Sequence, residues 1–417
     1  MKQSQLFTKT RWEDPAEEAA TNAKLLIRAG FIYKEMAGVY AYLPLGLRVL
    51  RKIENIIREE MNEIGGQELL MTTLQNPEVW NKTGRFDDKV VDNWFKTKLV
   101  SGTELGVANT HEEPIVQMLT NHLNSYKDLP LSVYQIQTKF RNELRAKSGL
   151  MRGREFLMKD MYSFSRSEEE FREFYEKCAE SYLKIYDRVG LGEVTFRTLA
   201  AGGSFTTGLT DEFQTLSEAG EDIIYLDREK KLAVNKEVLN DEVLAKFNLD
   251  RAKLEEVKSI EVGNIFPLGE KYTDAIGLKY RDESGLDQSI YMGSYGIGLG
   301  RLMGTVVEVL ADDGGIVWPK SIAPFSLHLV ALKSESGKVK EEAESLYQKL
   351  TEAGVEVLYD DREISAGEKL SDADLLGIPT RAIVSEKTIE AGQFEIKDRA
   401  TGRVSHMSLA ELKDLLK

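Results

Sequence analysis

Cysteine and histidine are scarce in this chain of 417 residues. It contains one cysteine, Cys178, and four histidines, which share no metal-ligand spacing. A single thiol cannot form a disulfide within the chain, and structural zinc sites need clusters of cysteine and histidine. We therefore expect neither an internal disulfide nor a zinc ion. Cys178 lies in a helical pattern and is predicted to be a packing residue.

Long apolar runs are also absent. No uninterrupted apolar stretch approaches the roughly 20 residues that cross a bilayer, and residues 1–14 lack the apolar segment of a signal peptide. The composition, 42% hydrophobic and 30% charged, is that of a soluble protein with two or three cores. We therefore expect a cytoplasmic protein without a membrane partner.

Basic residues are fewer than acidic ones, and the formal net charge is −14. This excess disfavours nonspecific binding to nucleic acid, so DNA is not an expected partner. A specific RNA contact depends on local charge instead, and residues 139–159 have the highest basic density in the chain. The glycines of this segment favour a loop over a solvated helix face. Its cations are Lys139, Arg141, Arg145, Lys147, Arg152, Arg154 and Lys159.

Two helices are predicted near the start of the chain. Asp14 has the position of an N-cap and is followed by proline, so the first helix should run from Asp14 to about Ala29. The second helix follows Pro44 and ends at Gly65, and its apolar residues recur every three or four positions. This stripe should be buried; it consists of Leu47, Leu50, Ile53, Ile57, Met61 and Ile64.

Short apolar or alternating runs then predict a largely antiparallel sheet, which makes the first domain α+β. These runs are residues 68–74, 99–108, 132–140 and 155–164. A helix is predicted over residues 165–189, where apolar residues have helical spacing. Residues 227–257 are lysine-rich, acidic and helical in pattern. We interpret them as a short insertion into a domain formed by residues 1–226 and 258–324.

Strands and helices alternate in the last part of the chain, residues 325–417. This alternation predicts a separate, smaller α/β domain with a mostly parallel sheet. The predicted elements are the strands 326–332, 355–359 and 380–385 and the helices 337–353 and 369–376.

Two polar residues, Arg141 and Glu143, directly follow the run 132–140. Side chains two positions apart on a strand point to the same face. There a guanidinium fork can bind phosphate or carboxylate oxygens, while a carboxylate accepts from an amino group. Periodicity alone favours an ordinary cross-strand ion pair instead.

Glycine recurs at positions 293, 296, 298 and 300, directly before Arg301 and an apolar helical pattern. Glycines at this spacing let a ligand approach the backbone, and an arginine at the start of a helix can contact phosphates. A dinucleotide fingerprint, as in an oxidoreductase, is the weaker interpretation. Its usual glycine spacing is missing, and no acidic residue stands in the expected place about 20 positions later.

Together and in this order, the two segments resemble motifs 2 and 3 of class II aminoacyl-tRNA synthetases. Further segments resemble the prolyl-tRNA synthetase family: THEEP at 110–114, REFLMKDMYSF at 154–164, EVGNIFPLG at 261–269, GIVWPKSIAP at 315–324 and DDR at 360–362. The similarity runs from about Phe7 to the end of the chain. It implies a catalytic domain built on a mostly antiparallel sheet, followed by an anticodon-binding domain.

The resemblance also implies an ATP-dependent ligase that joins L-proline to the 3′ end of tRNA(Pro) through prolyl-adenylate. In the family Arg141 binds the ATP α-phosphate and the proline carboxylate, so one guanidinium screens two anions that must meet. Glu143 accepts from the adenine amino group, and Phe156 stacks on the ring. Arg152 and Arg301 hold the outgoing pyrophosphate.

Further site residues follow from the same resemblance. Glu212 and Gln214 are implied to bind ATP, and Mg²⁺ is expected to bridge the phosphates through ligands that the sequence does not name. Thr110 and Glu112 resemble the loop that receives the proline ring nitrogen. A protonated secondary amine has two hydrogens, which one carboxylate and one hydroxyl can satisfy. Without the family, Thr110 and Glu112 would be interpreted as loop caps.

Three positions depart from the family pattern. Asp211 stands where a histidine is common in the proline pocket, and Ser294 replaces a cysteine; both are still predicted to contact proline. Thr72 replaces a strand proline at the dimer interface of the first motif. A homodimer is therefore predicted from the second helix and the resemblance. The departures at 211 and 72 are the support for an alternative, a catalytically silent relative that binds RNA or another protein.

The last part of the chain, residues 326–417, and the insertion 227–257 each lead to a further expectation. Residues 326–417 contain 13 Lys and Arg against 18 Asp and Glu, a net charge of −5. Recognition of unstacked anticodon bases should therefore depend on a few groups, for which we name Arg362, Lys369 and Arg381; each is equally suited to a surface ion pair. The insertion 227–257 is too short for an editing domain, so no hydrolysis of alanyl-tRNA is expected.

Overall fold

The two largest sheets of this chain belong to two different units of the polypeptide. The computed structural model describes residues 1–203, 205–206, 208–335 and 337–416, so Lys417, the last residue of the predicted C-terminal domain, lies outside it. One unit consists of Met1–Glu35, Tyr40–Ile53 and Val306–Lys417 and contains a five-stranded sheet. The other consists of Met36–Val39 and Glu54–Thr305 and contains a nine-stranded sheet.

Helices and strands are numbered in chain order. The helices are α1 (Thr21–Arg28), α2 (Pro44–Glu63), α3 (Pro77–Asn81), α4 (Glu112–Leu119), α5 (Glu168–Arg188), α6 (Asp241–Lys246), α7 (Lys271–Ile276), α8 (Leu299–Leu310), α9 (Lys338–Glu352), α10 (Ala366–Leu376), α11 (Glu386–Ala391) and α12 (Leu409–Leu415). The strands are β1 (Ile32–Met36), β2 (Val39–Tyr42), β3 (Gln67–Glu68), β4 (Leu74–Gln75), β5 (Lys96–Lys98), β6 (Glu104–Val107), β7 (Leu131–Phe140), β8 (Glu155–Ser165), β9 (Thr195–Ala201), β10 (Leu209–Leu216), β11 (Asp222–Asp227), β12 (Leu232–Asn235), β13 (Glu255–Gly269), β14 (Tyr280–Arg281), β15 (Asp287–Gln288), β16 (Tyr291–Gly298), β17 (Leu327–Ala331), β18 (Val357–Asp360), β19 (Thr380–Val384), β20 (Phe394–Asp398) and β21 (Val404–Met407).

The nine-stranded sheet has the order β10-β9-β12-β11-β13-β16-β8-β7-β3. Its pairings are antiparallel except β9 with β12 and β3 with β7, which confirms the predicted antiparallel character. The runs 132–140 and 155–164 are β7 and β8. The runs 68–74 and 99–108 form only short strands, because their apolar side chains do not pack in the sheet: Leu70 is 75% exposed and Leu74 55%.

Helix α5 packs across one face of this sheet, within the predicted range. Ser167 caps it through a hydrogen bond from Glu170 N, and its buried aromatic residues include Phe171, Tyr175 and Tyr182. Cys178 is fully buried among them, which confirms its packing role. Burial raises the pKa of its thiol to about 12.

The first helix is shorter than predicted, since α1 begins at Thr21 and Asp14 is not its N-cap. The Asp14 carboxylate instead pairs with Arg28 in the last turn of α1, at 3.1 Å. Helix α2 has its predicted extent, and Gly65, at φ 92°, follows it. The exception in its stripe is Leu47, which is 41% exposed because it lies about 80° around the helix from Ile57 at the stripe's centre.

The composition of the segment 227–257 suggested a mainly helical structure, and this prediction is wrong. The segment contains one short helix, α6, and strand β12, which pairs with β9 on one side and β11 on the other. Since β10 also pairs with β13, the strands β10, β9, β12, β11 and β13 form a closed circuit of pairings. Val234, Val243 and Leu244 of the segment pack with Leu199 of β9 in one buried cluster.

The smaller sheet has the order β18-β17-β19-β20-β21, and its first three strands and the helices α9 and α10 confirm the predicted elements, whereas α11, α12, β20 and β21 were not predicted. Strand β17 is parallel to both neighbours, whereas β20 is antiparallel to β19 and to β21. The sheet is therefore half parallel rather than mostly parallel, and a short turn that reverses the chain joins β20 to β21. Among the described residues, no helix combines the length and apolar character needed to cross a membrane.

Candidate active site

Five predicted ATP-binding residues meet in one cleft of the nine-stranded unit. Strands β7, β8 and β16 are neighbours in the sheet, so residues at their ends come together although they lie far apart in sequence. The glycines Gly296 and Gly298 of β16 line the cleft floor. The predicted residues in its lining are Arg141, Glu143, Arg152, Phe156 and Arg301.

Arg141 lies partly buried in this cleft with its guanidinium 5.4 Å from the centre of the Phe156 ring. Its Nε is buried and has no hydrogen-bond partner among the residues that the structure describes. Burial, and next the positive charge of Arg301, lower the pKa of Arg141. A buried cation with an unused donor is suited to an anionic ligand.

Arg301 is held by three contacts at the beginning of α8. Its Nε donates to the carbonyl oxygen of Met151 at 2.8 Å, and Nη1 donates to the carbonyl oxygen and to Oε2 of Glu261 at 2.9 and 3.1 Å. The side chain remains 30% exposed, so its other guanidinium nitrogen can face a ligand. Arg152 is more exposed, at 47%, and lies 3.7 Å from Glu221.

A group of acidic side chains lies beside Arg301. The side-chain amide of Gln214 donates to Glu212 and to Asp222, at 2.9 Å each. Burial, and next the charge of Glu261, raise the pKa of Glu212 to about 8. Glu212 and Gln214 were predicted from the family resemblance, whereas Asp222 and Glu261 were not assigned a role. Within the described part of the chain, no cluster of three or more acidic, histidine or cysteine side chains has metal-site geometry.

The predicted proline-binding residues Thr110, Glu112 and Ser294 converge in one buried cluster. Thr110 Oγ1 donates to both carboxylate oxygens of Glu112, at 2.9 and 2.8 Å, and Ser294 Oγ donates to Oε1 at 3.3 Å. Glu112 is 1% exposed. Because Ser294 and Gly296 are two residues apart on β16, this cluster, the proline pocket of the prediction, is adjacent to the cleft.

Arg85 is a residue of this pocket that the sequence did not indicate. Its Nη1 contacts Glu113 at 3.0 Å and Glu112 at 3.4 Å. The side chain is only 5% exposed, although Arg85 lies in a polar, glycine-containing stretch that resembles a surface loop. Its partners are 27 and 28 residues away in sequence, so no local pattern could have found them.

A buried polar network, which includes His111, packs against the proline-binding residues Thr110 and Glu112. Lys139 Nζ contacts Asp160 Oδ1 at 2.8 Å and His111 Nδ1 at 2.9 Å, and Tyr162 donates to Asp160 Oδ2 at 3.0 Å. Lys139 and Lys159 are both fully buried. The prediction of a basic loop over residues 139–159 is therefore wrong at both ends of the segment, because Lys139 lies on β7 and Lys159 on β8 and both side chains are buried.

The structure does not bring Asp211 to the proline pocket. On strand β10 its side chain points to the face covered by α5, while Glu212 points to the opposite face. The Asp211 carboxylate accepts from Tyr175 at 2.8 Å and from Arg197 at 2.8 and 3.0 Å. The charge that departs from the family pattern is therefore compensated by Arg197.

The three residues named for anticodon contact are held by groups of their own unit. Arg362 pairs with Asp360 and Asp372, and Arg381 donates to Asp374 at 3.0 Å. Lys369 donates to two carbonyl oxygens and its side chain is 3% exposed, compared with 16% for Arg362 and 11% for Arg381. Their role in RNA binding stays a prediction.

The fold and the cleft agree with matches to known families. A family model described as the tRNA synthetase class II core domain (G, H, P, S and T) matches residues 95–310, and one described as an anticodon binding domain matches residues 326–417. The two sheets and the nucleotide cleft thus define a class II aminoacyl-tRNA synthetase.

Curated relatives narrow this class. The proline–tRNA ligase of Parvibaculum lavamentivorans is 37% identical over 98% of this chain and 98% of the relative, and that of Zymomonas mobilis is 38% identical over 100% and 98%. The chain belongs to the proline–tRNA ligase family. A solved prolyl-tRNA synthetase from Cryptosporidium parvum, complexed with halofuginone and AMPPNP, has the same fold, with a TM-score of 0.77, 16% identity and coverage of 94% of this chain and 75% of that one.

Proposed function

We propose that this chain activates L-proline with ATP to form prolyl-adenylate and pyrophosphate, and then transfers the prolyl group to the 3′ end of tRNA(Pro) with release of AMP. The observation that carries this proposal is the adjacency of a cleft and a buried cluster. The cleft is lined by Arg141, Phe156 and Arg301, and in the cluster the Glu112 carboxylate accepts from two hydroxyl groups.

Activation needs positioning and charge screening more than a protein nucleophile. The proline carboxylate attacks the α-phosphorus of ATP, and the bond to the bridging oxygen of pyrophosphate breaks. Arg141 lies between the cleft and the proline pocket, where its guanidinium screens both anions as they approach. Arg152 and Arg301 face the departing pyrophosphate, Phe156 stacks on adenine, and Glu143 accepts from its amino group.

Thr110, Glu112 and Ser294 form the other half of the reaction site. The protonated ring nitrogen of proline donates to Glu112, which is buried and therefore interacts strongly with a cation. Thr110 and Ser294 orient that carboxylate. Asp211 contributes no direct contact to proline, since its oxygens are used by Tyr175 and Arg197.

Mg²⁺ fits the acidic group beside Arg301. This ion is commonly held by one or two carboxylates together with substrate phosphates, so a complete protein cage is not needed. One or two of the carboxylates Glu212, Asp222 and Glu261 would hold it together with the substrate phosphates. Burial, and next the charge of Glu261, raise the pKa of Glu212. When bound, Mg²⁺ supplies neutralisation of the phosphate charge. The expectation that no zinc is required stays a prediction.

A homodimer in the cytoplasm is also proposed. Helix α2 and the segments around it belong to the motif that dimerises in this family. Large apolar side chains at 70, 74, 99, 100 and 144 are each more than 45% exposed, which is unusual for surfaces without a partner. For tRNA binding we propose Arg362 and Arg381 as anticodon contacts. We propose that Lys369 stabilises the same region, because its Nζ donates to the carbonyl oxygens of Ala331 and Asp360.

Proline-dependent exchange of labelled pyrophosphate into ATP tests the proposed function. The wild-type protein should show exchange that depends on proline, and Arg141→Ala should abolish it while the protein stays folded by circular dichroism. Arg145→Ala, which removes an exposed arginine of the same loop, is the matched control and should retain exchange. Normal exchange by Arg141→Ala would contradict the assignment, and a wild type without exchange would favour a silent relative.

A further inference from the structure

We propose that Arg85 is a positioning residue for proline: it holds the Glu112 carboxylate as an oriented anion that receives the ring nitrogen. This inference deepens the proposed function and rests on it. Arg85 does not contact ATP-binding residues, so its effect should be confined to the amino acid.

The environment of Arg85 is unusual for a cation. Its guanidinium lies 5.1 Å from the ring centre of Trp80, 5.2 Å from that of Phe205 and 5.3 Å from that of Tyr272. Aromatic faces on three sides attract the cation and exclude water. Arg85 can therefore hold one orientation inside an otherwise apolar part of the pocket.

Glu113 fixes the guanidinium in that orientation. Arg85 Nη1 lies 3.0 Å from each carboxylate oxygen of Glu113, and Thr83 Oγ1 donates to Glu113 Oε1 at 2.7 Å. Glu113 is fully buried at the beginning of α4. Since Glu113 is anchored on both sides, the Arg85–Glu113 pair is a rigid support rather than a flexible surface ion pair.

The same nitrogen reaches the proline-binding carboxylate. Arg85 Nη1 lies 3.4 Å from Glu112 Oε2, while Thr110 and Ser294 donate to Glu112 from other directions. A carboxylate that is 1% exposed is costly to keep ionised unless a cation is close. Thr110 and Ser294 are neutral donors, so the cation in direct contact with Glu112 is Arg85.

Other charged or titratable groups also face Glu112. On the Arg85 side of Glu112 they are Glu113, Lys271 and Tyr272, and on the sheet side they are His111, Lys139, Arg141 and Tyr162. Lys139 is already paired with Asp160, and Arg141 faces the nucleotide cleft. Loss of Arg85 would therefore leave Glu112 and Glu113 as adjacent buried carboxylates without the cation that contacts both.

The test is the KM for proline in pyrophosphate exchange by Arg85→Met, compared with the KM for ATP and with kcat. The KM for proline should rise about 10- to 100-fold, which is the usual effect of losing one charge-assisted buried contact. The KM for ATP should stay within about twofold of wild type, and kcat at saturating proline should change far less than the KM for proline.

Two further variants keep the inference falsifiable. Arg85→Lys retains the charge and should recover most of the affinity for proline. The double variant Arg85→Met/Glu113→Gln removes the second carboxylate, so it should fold even where Arg85→Met does not, and it should still show the raised KM for proline. A purely structural role of Arg85 predicts lower stability with an unchanged KM for proline in the folded protein, and that result would overturn the proposal. Absence of proline-dependent exchange in wild type would refute the proposed function instead.

Discussion

Two histidines are enclosed in this chain, one in each unit. His111 lies under the proline pocket, where Lys139 contacts its Nδ1 and the carbonyl oxygen of Thr72 lies 3.0 Å from its Nε2. His328, on β17, has Nε2 3.0 Å from Gln3, while its buried Nδ1 has no hydrogen-bond partner within the described part of the chain. Burial lowers the pKa of both rings to about 4. Both side chains are therefore neutral in the folded protein at pH 7.

This neutrality predicts a loss of stability in mild acid. The unfolded histidine has an ordinary pKa near 6.5, so the unfolded state binds a proton that the folded state excludes as pH falls from about 6.5 to 4. Between pH 7 and pH 5, each buried histidine should lower the free energy of unfolding by roughly 2 kcal/mol. Urea unfolding at the two pH values should show a smaller loss for His328→Gln. The exposed His406 is the control, and His406→Gln should leave the pH dependence unchanged.

Among single residues, the sequence predicted those whose role follows from a local sequence motif. Arg141, Glu143 and Phe156 lie at strand ends and Arg301 at the beginning of a helix, in segments that the motifs identify, and they meet in one cleft. Arg85 could not be predicted, because its aromatic and acidic partners come from separate segments. Asp211 was assigned to the proline pocket from the resemblance alone, although strand alternation places it and Glu212 on opposite faces.

Elements with strong periodicity were predicted well, and those defined by short-range signals were not. β7, β8, α5 and the alternating elements of the smaller sheet follow the apolar pattern closely. The N-cap signal at Asp14 failed because its carboxylate pairs with Arg28 instead of capping the backbone. The segment 227–257 failed because strand β12 is stabilised by its neighbours β9 and β11, which lie outside any local window.

Helix α2 offers a test of packing at the scale of an element. A Cβ on Gly46 would lie 2.1 Å from the carbonyl oxygen of Phe31, which is backbone and has little freedom to move. Gly46→Ala should therefore lower the free energy of unfolding by about 2 kcal/mol or more. Gly367 of α10 has open space at the same point, so Gly367→Ala should be neutral or stabilise by up to about 1 kcal/mol. Equal urea midpoints for the two variants would contradict this account.

On the scale of the whole molecule, the segment 227–257 leads to a prediction about which reactions the enzyme can perform. Residues 227–257 contribute one strand and one short helix to the synthetic unit and enclose a small apolar cluster. We see in them no second domain with a site of its own among the described residues. Correction of mischarged tRNA would need such a site, because the synthetic cleft is built for adenylate formation.

The purified protein should therefore not hydrolyse Ala-tRNA(Pro). The measurement is the release of labelled alanine from Ala-tRNA(Pro), compared with the spontaneous rate in buffer. The same preparation should charge tRNA(Pro) with proline, which shows that it is active. A deacylation rate clearly above the buffer rate would refute the prediction.

The closed circuit formed by β10, β9, β12, β11 and β13 limits the positions at which a proofreading domain could be inserted into this enzyme. Removal of 227–257 would take out β12 and leave β9 and β11 with unpaired edges, which favours aggregation. A hydrolytic domain would instead have to be grafted into the exposed turn at residues 228–231, which joins β11 to β12. At that point both ends of the guest would leave from adjacent antiparallel strands, and the host sheet could keep every one of its hydrogen bonds.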